Sequence, residues 1–375
     1  MAKVFEQVGL GALQPANRLV RSATWEGMCS ADGRPTKKLV DYYTELARGG
    51  VGLIVSGYAY VSPEGKQMPG KMGMHDDALA KDHIRLTQAV HEAGGLVVVQ
   101  LVHAGGQTDS DKAGQRPVAP SALELEQYPE LPQELSKERI SELISAFAKA
   151  AARAKAWGYD GVQLHAAHGY LLNQFLSPLT NQRMDEYGGP LPHRCRFLLD
   201  AYQAVRVAVG GAYPVMAKLT AGDNLDGGLV LNEAVYAGRE LSAAGINALE
   251  ISSGTPVSGK LTPARKKILK PEQEAYNLDV AGIIKSEVAC PVMVVGGFRS
   301  LAKVRHAVED KGIDFVSLSR PLIREPDLPK RWQEGDESPA KCISCNACFI
   351  PGIKEGGIYC MQEKKEQERA AKGEE

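Results

Sequence analysis

The stretch "LVVVQL", residues 96–101, is apolar at all but one of its positions. Such a run is typical of a strand that is buried on both faces of a sheet. The stretches "GLIVS" at 52–56 and "VMVVG" at 292–296 have the same character. Longer amphipathic stretches separate these runs, so strands and helices alternate along the chain. This alternation predicts a parallel sheet that is covered by helices.

Eight βα units are predicted over roughly 320 residues, which matches a (β/α)8 TIM barrel with insertions. In the alternative, a doubly wound sheet, a glycine-rich phosphate turn would follow the first strand. The chain instead has Ala23-Thr24-Trp25-Glu26 there and contains no G-x-G-x-x-G motif. The predicted strands are Arg18–Thr24, Val51–Tyr60, Leu96–His103, Gly161–Ala166, Val215–Thr220, Ala248–Ser253, Pro291–Gly296 and Asp314–Ser319. The predicted helices are Leu39–Arg48, Asp77–Ala93, Lys137–Trp157, His193–Val209, Asn232–Ala244, Val280–Val288, Leu301–Lys311 and Asp327–Trp332.

The predicted barrel occupies residues 1–335 of the 375, with long polar insertions at 106–135 and 170–192. A cysteine-rich segment, expected to bind a metal or a cluster, follows at 336–362. Residues 363–375 are rich in Lys and Glu and predict a charged, mobile tail.

Composition and charge argue against several classes of protein. With 44 Lys and Arg against 45 Asp and Glu, the net charge of −1 disfavours binding to nucleic acid or to a membrane surface. No apolar run approaches the roughly 20 residues of a membrane-spanning helix, and residues 1–10 lack the apolar core of a secretion signal. We therefore expect a cytoplasmic protein whose thiols stay reduced.

Polar side chains collect where the predicted strands end. Gln100 lies near the end of the third strand, and Lys218 lies near the end of the fifth. The fourth strand is followed by His165, His168 and Tyr170. Because the carboxyl ends of all barrel strands meet at one face, where active sites lie, the sequence predicts a site there.

The pair His165 and His168 has three interpretations. The two could ligate zinc, although no third ligand is nearby in the sequence, or they could be hydrogen-bonded core histidines. They could also donate hydrogen bonds to a substrate carbonyl and polarise it, with Tyr170 delivering a proton. The convergence with Tyr170 and Lys218 at strand ends favours this third interpretation.

A phosphate site is predicted at the ends of the seventh and eighth strands. Backbone N–H groups and an arginine bind phosphate at this place in many barrels. The alternative is a tight glycine turn together with an arginine that pairs with a carboxylate. The two features in combination favour phosphate. The residues of this predicted site are Gly296, Gly297, Phe298, Arg299, Ser319 and Arg320.

Four of the seven cysteines lie close together in "CISCNACFIPGIKEGGIYC", residues 342–360. In a cytosolic protein the spacing C-x2-C-x2-C-x11-C indicates a metal or cluster site rather than disulfides. Cys342, Cys345, Cys348 and Cys360 supply the four thiolates of a four-iron cluster, and they equally suit structural zinc. Four free thiols are the remaining alternative.

The segment "GYDGVQLHAAHGYLLNQFLSPLTNQRMDEYGG", residues 158–189, resembles the old yellow enzyme family of FMN-dependent ene-reductases. So do "VVVQLVHAGGQ" at 97–107, "ANRLVRSAT" at 16–24 and "FVSLSRPLIREPDLP" at 315–329. The resemblance implies a TIM barrel with FMN on its top face. It also implies hydride transfer from NAD(P)H through the flavin to the β-carbon of an enone or enoyl substrate.

The resemblance further implies roles for individual residues. Lys218 would lie near flavin N1 and the C2 carbonyl, where the reduced flavin is negative. His165 and His168 would bind the substrate carbonyl, and Tyr170 would be the proton donor. The remaining flavin contacts would be the backbone of Ser22, Ala23 and Thr24, and Gly57 and Gln100 at the pyrimidine edge. The phosphate would be bound by Gly297, Phe298, Arg299 and Arg320, beside Gly296 and Ser319 of the same predicted site.

The sequence departs from the family pattern in three places. Trp25 stands where many members have Thr or Cys beside the flavin, and Lys218 replaces the commoner Arg. The cysteine segment resembles that of 2,4-dienoyl-CoA reductase and trimethylamine dehydrogenase, with a second gap that is one residue shorter. Those cluster-bearing relatives continue into an FAD- and nucleotide-binding half.

Two functions remain open at this point. The first is an enzyme that reduces enones or enoyl thioesters with NAD(P)H. The second is an FMN and iron–sulfur electron-transfer subunit that works with a separate redox partner protein. A barrel without any cofactor would require the polar strand ends to be a coincidence. The sequence does not choose between NADH and NADPH, and it leaves open whether the chain forms a homo-oligomer.

Overall fold

The structure is a computed structural model, and it describes residues 3–372. Eight parallel strands pair side by side, and pairing between the second and third strands closes the ring. This arrangement confirms the predicted (β/α)8 TIM barrel. In chain order the barrel strands are Leu19–Arg21, Leu53–Val55, Val97–Val102, Gly161–Ala166, Val215–Thr220, Ala248–Ser252, Val292–Val295 and Phe315–Leu318.

One helix follows each strand, and its ends lie within a few residues of the prediction. The third of these helices is capped, because the Ser136 side chain accepts a hydrogen bond from the Arg139 backbone N–H at 3.3 Å. The barrel helices are Lys37–Arg48, Ala80–Glu92, Lys137–Ala156, Leu191–Val209, Leu231–Ala243, Leu278–Glu287, Leu301–Arg305 and Leu328–Gln333. The seventh continues as a π-helical turn, His306–Asp310.

The predicted second strand is wrong in one respect, because it divides into Leu53–Val55 and Ala59–Tyr60. At Gly57, between the two pieces, the backbone N–H donates to the Tyr43 hydroxyl at 2.8 Å. A Cβ atom at Gly57 would lie only 2.0 Å from the Glu26 carboxylate. The pairing with the neighbouring strand is therefore interrupted here, where the backbone packs against Tyr43 and Glu26.

The two insertions contain secondary structure that the sequence did not reveal. The fully buried helix Leu171–Leu176 lies in the segment predicted as a polar loop at 170–192. The insertion at 106–135 holds a short helix, Ser110–Ala113, and the paired strands Val118–Ala119 and Gln133–Glu134.

The cysteine segment contains the helix Phe349–Lys354, and the helix Met361–Lys372 follows it. The second helix covers most of the predicted tail, whose mobility stays a prediction, and residues 373–375 lie outside the described residues. A short helix, Pro321–Arg324, follows the eighth strand, and short 3-10 helices are Lys3–Phe5, Pro63–Gly65, Asp77–Leu79, Gly259–Leu261 and Pro271–Gln273. Between residues 3 and 372, no helix combines the length and apolar character needed to cross a membrane.

Two apolar layers stabilise the barrel. The larger layer fills the space between the strands and the surrounding helices. The smaller layer lies inside the ring near the amino ends of the strands, where Leu10 and Leu13 pack against it. Apolar side chains thus fill the bottom of the barrel, and the carboxyl ends are left for polar groups.

Candidate active site

A cavity of about 340 Å³ opens at the carboxyl ends of the strands. Many of the predicted site residues line it, from five different strand ends. These are Ser22, Ala23, Thr24, His168, Lys218, Gly297, Phe298, Ser319 and Arg320. Residues that the sequence did not single out also contribute, among them Tyr58 and Met68.

The two histidines and the tyrosine after the fourth strand lie together. The ring centroid of His165 is 5.2 Å from that of His168 and 4.7 Å from that of Tyr170. His168 has a left-handed backbone (φ 62°), which turns the chain sharply at the strand end. Its Nε2 lies 2.7 Å from the Ser252 hydroxyl. Nδ1 of His165 is buried and has no hydrogen-bond partner among residues 3–372.

Both histidines are held in the neutral form. Burial lowers the pKa of His165 and of His168 well below the usual histidine value, and Lys218 adds to this effect. A neutral imidazole still carries one N–H donor. The pair can therefore donate hydrogen bonds to a ligand oxygen at neutral pH without bearing charge.

Tyr170 remains a phenol at neutral pH. Burial raises its pKa to about 12, although hydrogen bonds to Tyr58 and Gln67 lower it in part. Its hydroxyl donates to Gln67 Oε1 at 2.7 Å, and Tyr58 donates to the same oxygen at 3.3 Å. Tyr170 thus has a proton that it can give to a substrate.

A chain of buried polar groups crosses the barrel beneath the cavity. Strand register places Gln100 opposite Gln163, and Lys218 opposite Glu250. Gln100 Nε2 donates to Gln163 Oε1 at 2.7 Å, and Gln163 Nε2 donates to Glu250 Oε2 at 3.0 Å. Lys218 lies 3.3 Å from the same carboxylate oxygen and donates to the Ser22 hydroxyl at 2.8 Å.

Gln163 and Glu250 were not among the predicted site residues. The signal that could have found Glu250 is a carboxylate inside the apolar run "ALEIS" (248–252), since a charge on a strand buried on both faces needs a partner. The network leaves Gln100 Oε1 as a buried acceptor without a hydrogen-bond partner in the described part of the chain. A ring N–H of a bound cofactor would satisfy it.

At the predicted phosphate site, the glycine turn is present, and the side chains of Arg320 and Arg299 make different contacts. Gly297 has φ 72°, and a Cβ there would lie 2.8 Å from the Tyr276 ring. Arg320 lines the cavity and donates to the Arg265 carbonyl at 2.7 Å and to Asn346 Oδ1 at 2.6 Å, rather than to a carboxylate.

The Arg299 side chain has another set of contacts. Its guanidinium donates to the carbonyls of Ile268 at 3.0 Å and Ala340 at 2.8 Å, and its side chain is not among those that line the cavity. Five further predicted site residues are also absent from the cavity lining, namely Gly57, Gln100, Gly296, His165 and Tyr170.

The four clustered cysteines surround one small cavity of about 20 Å³. All four are free thiols. The loop between them is tightly wound, with left-handed backbone at Ser344 (φ 52°) and Asn346 (φ 63°). Within residues 3–372, no three His, Cys, Asp or Glu side chains are arranged to hold a single metal ion. The structure therefore brings Cys342, Cys345, Cys348 and Cys360 together around one cavity.

The cysteine segment packs against the mouth of the barrel. Its residues Ser344, Phe349 and Ile353 line the large cavity, and Arg320 lines both cavities. The indole of Trp25 also contacts this segment, since a Cβ at Gly352 would lie 2.9 Å from its ring. The two candidate sites are thus direct neighbours.

A family model described as the NADH:flavin oxidoreductase / NADH oxidase family matches residues 3–338. The chain is 35% identical over 354 residues to the NADH oxidase of Thermoanaerobacter brockii, covering 93% of this chain and 54% of that protein. A 2-naphthoyl-CoA reductase structure, in complex with 2-naphthoyl-CoA, matches with a TM-score of 0.89 and 27% identity, covering 96% of this chain and 56% of that one. An old yellow enzyme homologue from Zymomonas mobilis matches with a TM-score of 0.79 and 27% identity, covering 94% and 98%.

The chain spans about half the length of the NADH oxidase and of the 2-naphthoyl-CoA reductase, and nearly all of the Zymomonas mobilis protein. The match to the family model extends from the first described residue, through the whole barrel, to the start of the cysteine segment. The chain belongs to the NADH:flavin oxidoreductase / NADH oxidase family.

Proposed function

We propose that this chain binds FMN and reduces the activated C=C bond of α,β-unsaturated carbonyl compounds with electrons from NAD(P)H. The observation that carries the proposal is the convergence of His165, His168 and Tyr170 beside a cavity with flavin-compatible groups. When bound, FMN would supply hydride transfer, which no side chain of the protein can perform alone.

The residues at the cavity fit this cofactor. Gln100 Oε1 is a buried acceptor that needs an N–H, as the pyrimidine edge of a flavin provides. Lys218 would hold negative charge near that edge, and the backbone at 22–24 would contact the ring. Gly297 and Arg320 would hold the phosphate, because the glycine turn offers backbone N–H groups and the guanidinium supplies charge.

The chain's own residues would act on the substrate. His165 and His168 would donate neutral N–H groups to the carbonyl oxygen and so stabilise the negative charge that develops there. Tyr170 would give its proton to the α-carbon, and burial keeps that proton on the phenol at neutral pH.

Turnover of a simple enone tests the proposal. The FMN-loaded protein, kept free of oxygen, is mixed with NADH or NADPH and cyclohex-2-enone, and cyclohexanone is measured. We expect product with at least one of the two nucleotides, and loss of product in the double variant His165→Ala, His168→Ala. Reduction of the flavin by NAD(P)H with no cyclohexanone formed would reject the enone as the substrate class.

A second proposal concerns the four cysteines, which we propose bind a four-iron cluster that exchanges single electrons with the flavin. All four face one cavity, and that cavity adjoins the flavin site through Arg320. Four thiols around one cavity are the ligand set of a four-iron cluster, and structural zinc is the alternative. A chain of this kind could receive electrons from a separate redox protein as well as from NAD(P)H.

A further inference from the structure

Lys71 is a buried lysine beside the candidate proton donor. Its side chain is only 1% exposed, and Nζ has no hydrogen-bond or ion-pair partner among residues 3–372. The amine lies 3.7 Å from the ring centroid of Tyr58 and 5.3 Å from that of Tyr170. A buried amine without an acceptor is costly, because an ammonium has three donors to satisfy.

The backbone just before Lys71 is held in place by two hydrogen bonds. The Pro69 carbonyl accepts from the Trp25 indole at 3.1 Å, and the Gly70 carbonyl accepts from the Cys29 N–H at 3.0 Å. Gly70 has φ 62° and lies so close to Gly27 that a Cβ would be 2.7 Å from its backbone. The amine is therefore not a mobile surface group that has folded inward by chance.

The titratable groups around the amine provide no counter-charge. Tyr58 and Tyr170 are phenols whose pKa burial raises, and His165 is an imidazole whose pKa burial lowers. The buried carboxylate of Glu26 is engaged by Arg21 at 3.5 Å and by the Tyr43 hydroxyl at 2.9 Å, and it forms no ion pair with Lys71. Burial lowers the pKa of Lys71 well below its usual value, so the amine can be neutral until an anion arrives.

We propose that Lys71 binds a carboxylate of the substrate, so that the natural substrate is an unsaturated carbonyl compound that also carries an acid group. Tyr170 is the link, since it is close to both His165 and Lys71. A substrate bound beside Tyr170 would lie near both the histidines and the amine, and Tyr58, whose ring contacts the amine, lines the cavity. The inference rests on the proposed function. It adds the substrate's acid group and makes Lys71 a specificity-determining residue.

Binding of the acid would be accompanied by uptake of a proton. The neutral amine takes one proton from solvent as the carboxylate enters, and the ammonium then donates to the carboxylate oxygens. The rings of Tyr58 and Tyr170 favour the same charged form, because a cation is attracted to aromatic faces. No redox step is involved.

The test compares (E)-4-oxopent-2-enoate with its methyl ester, using the FMN-loaded protein. The two compounds share the conjugated ketone and differ in the carboxylate. We expect the acid to bind at least about tenfold more tightly than the ester, as a charge-assisted hydrogen bond requires. We also expect net proton uptake on binding of the acid, measured with an indicator dye, and none with the ester.

Lys71→Met should lose both the preference for the acid and the proton uptake, while turnover of the ester is retained. Lys66→Met is the matched control, because Lys66 lies on the same loop and its Nζ donates to the Ala31 carbonyl instead. We expect Lys71→Met to unfold at the same temperature as the parent or a higher one, since it removes an unsatisfied buried amine.

The outcomes separate the two proposals. Equal affinity for acid and ester in the parent protein, or unchanged discrimination in Lys71→Met, would overturn the role of Lys71. A fall in the unfolding temperature with unchanged discrimination would mean that the lysine is structural. Failure to reduce either compound would count against the proposed function, while ligand affinity and proton uptake would still decide the role of Lys71.

Discussion

His165 and His168 are the residues whose replacement should change ligand binding most. A phenol such as 4-hydroxybenzaldehyde should stack on the flavin, with its oxygen between the histidines, and produce a long-wavelength charge-transfer band. Replacing both by Ala removes two donors, each contributing about 1.5 kcal/mol, so Kd should rise at least about a hundredfold and the band should vanish. Spectral titration measures both.

The matched control for that titration is His168→Asn, which keeps an N–H donor at the left-handed turn. We expect it to retain much of the affinity. If the double Ala variant titrates like the parent, the phenol oxygen lies elsewhere, and so does the carbonyl of the substrate.

Glu250 tests the buried network beneath the cavity. Glu250→Gln leaves Lys218 without its counter-charge, and breaking a buried pair in this way costs about 3–5 kcal/mol. Chemical denaturation should show a lower free energy of unfolding. The double variant Glu250→Gln, Lys218→Met should recover part of the loss, because the lone buried amine is gone. A single variant as stable as the parent would contradict the pairing.

Part of the site could be read from individual residues, and part could not. His165, His168, Tyr170 and Lys218 were predictable because polar groups at the ends of apolar strands stand out. Lys71 was not, because it lies in a loop without a motif, and only the tertiary structure places it against Tyr58. Its burial depends on packing between segments that are distant in sequence.

At the scale of elements, the loop after the eighth strand connects the two candidate sites. Arg320 lines both cavities, whereas the Arg299 guanidinium donates hydrogen bonds to the carbonyls of Ile268 and Ala340.

Arg320→Ala should weaken FMN binding roughly tenfold or more, since it removes a charge-assisted contact to phosphate. Arg299→Ala should lower thermal stability and change FMN affinity much less. Equilibrium dialysis measures the FMN affinity of the parent and of the two variants. Equal affinity in all three proteins would mean that the phosphate lies elsewhere.

The cysteine segment has its own prediction. Cys345→Ser removes one of the thiols that face the small cavity, so protein made without oxygen should lose about four iron per chain. FMN should stay bound, because Cys345 does not line the larger cavity. Iron, zinc and flavin are quantified together. Parent protein that contains neither iron nor zinc would contradict the metal site altogether.

Helices and strands were predictable where the apolar residues of a segment recur with one regular spacing. The helix Lys137–Ala156 follows from apolar residues on one face and a serine cap. The break in the second strand was not predictable, because it depends on Glu26 and Tyr43 packing against Gly57. The buried helix Leu171–Leu176 was hidden by its polar residues Asn173 and Gln174, whose side chains bond to neighbouring backbone.

At the scale of the whole molecule, apolar side chains fill one end of the barrel and polar groups occupy the other. The alternation of strands and helices predicted this division, because all strand ends of a parallel barrel point the same way. What the sequence could not provide is the relation between the barrel and the cysteine segment. That relation depends on contacts such as Trp25 with Gly352, which join the two ends of the chain.

The central claim, a flavin that takes electrons from NAD(P)H and gives them to an enone at this barrel mouth, is tested most directly by one spectral cycle. Protein purified without oxygen is supplied with FMN, freed of excess flavin, reduced with one equivalent of NADH or NADPH, and then mixed with cyclohex-2-enone. We predict about one bound flavin per chain, bleaching of its absorbance by the nucleotide, and full recovery on addition of the enone. Protein that retains no flavin, or a bleached flavin that the enone leaves unchanged, would contradict the account.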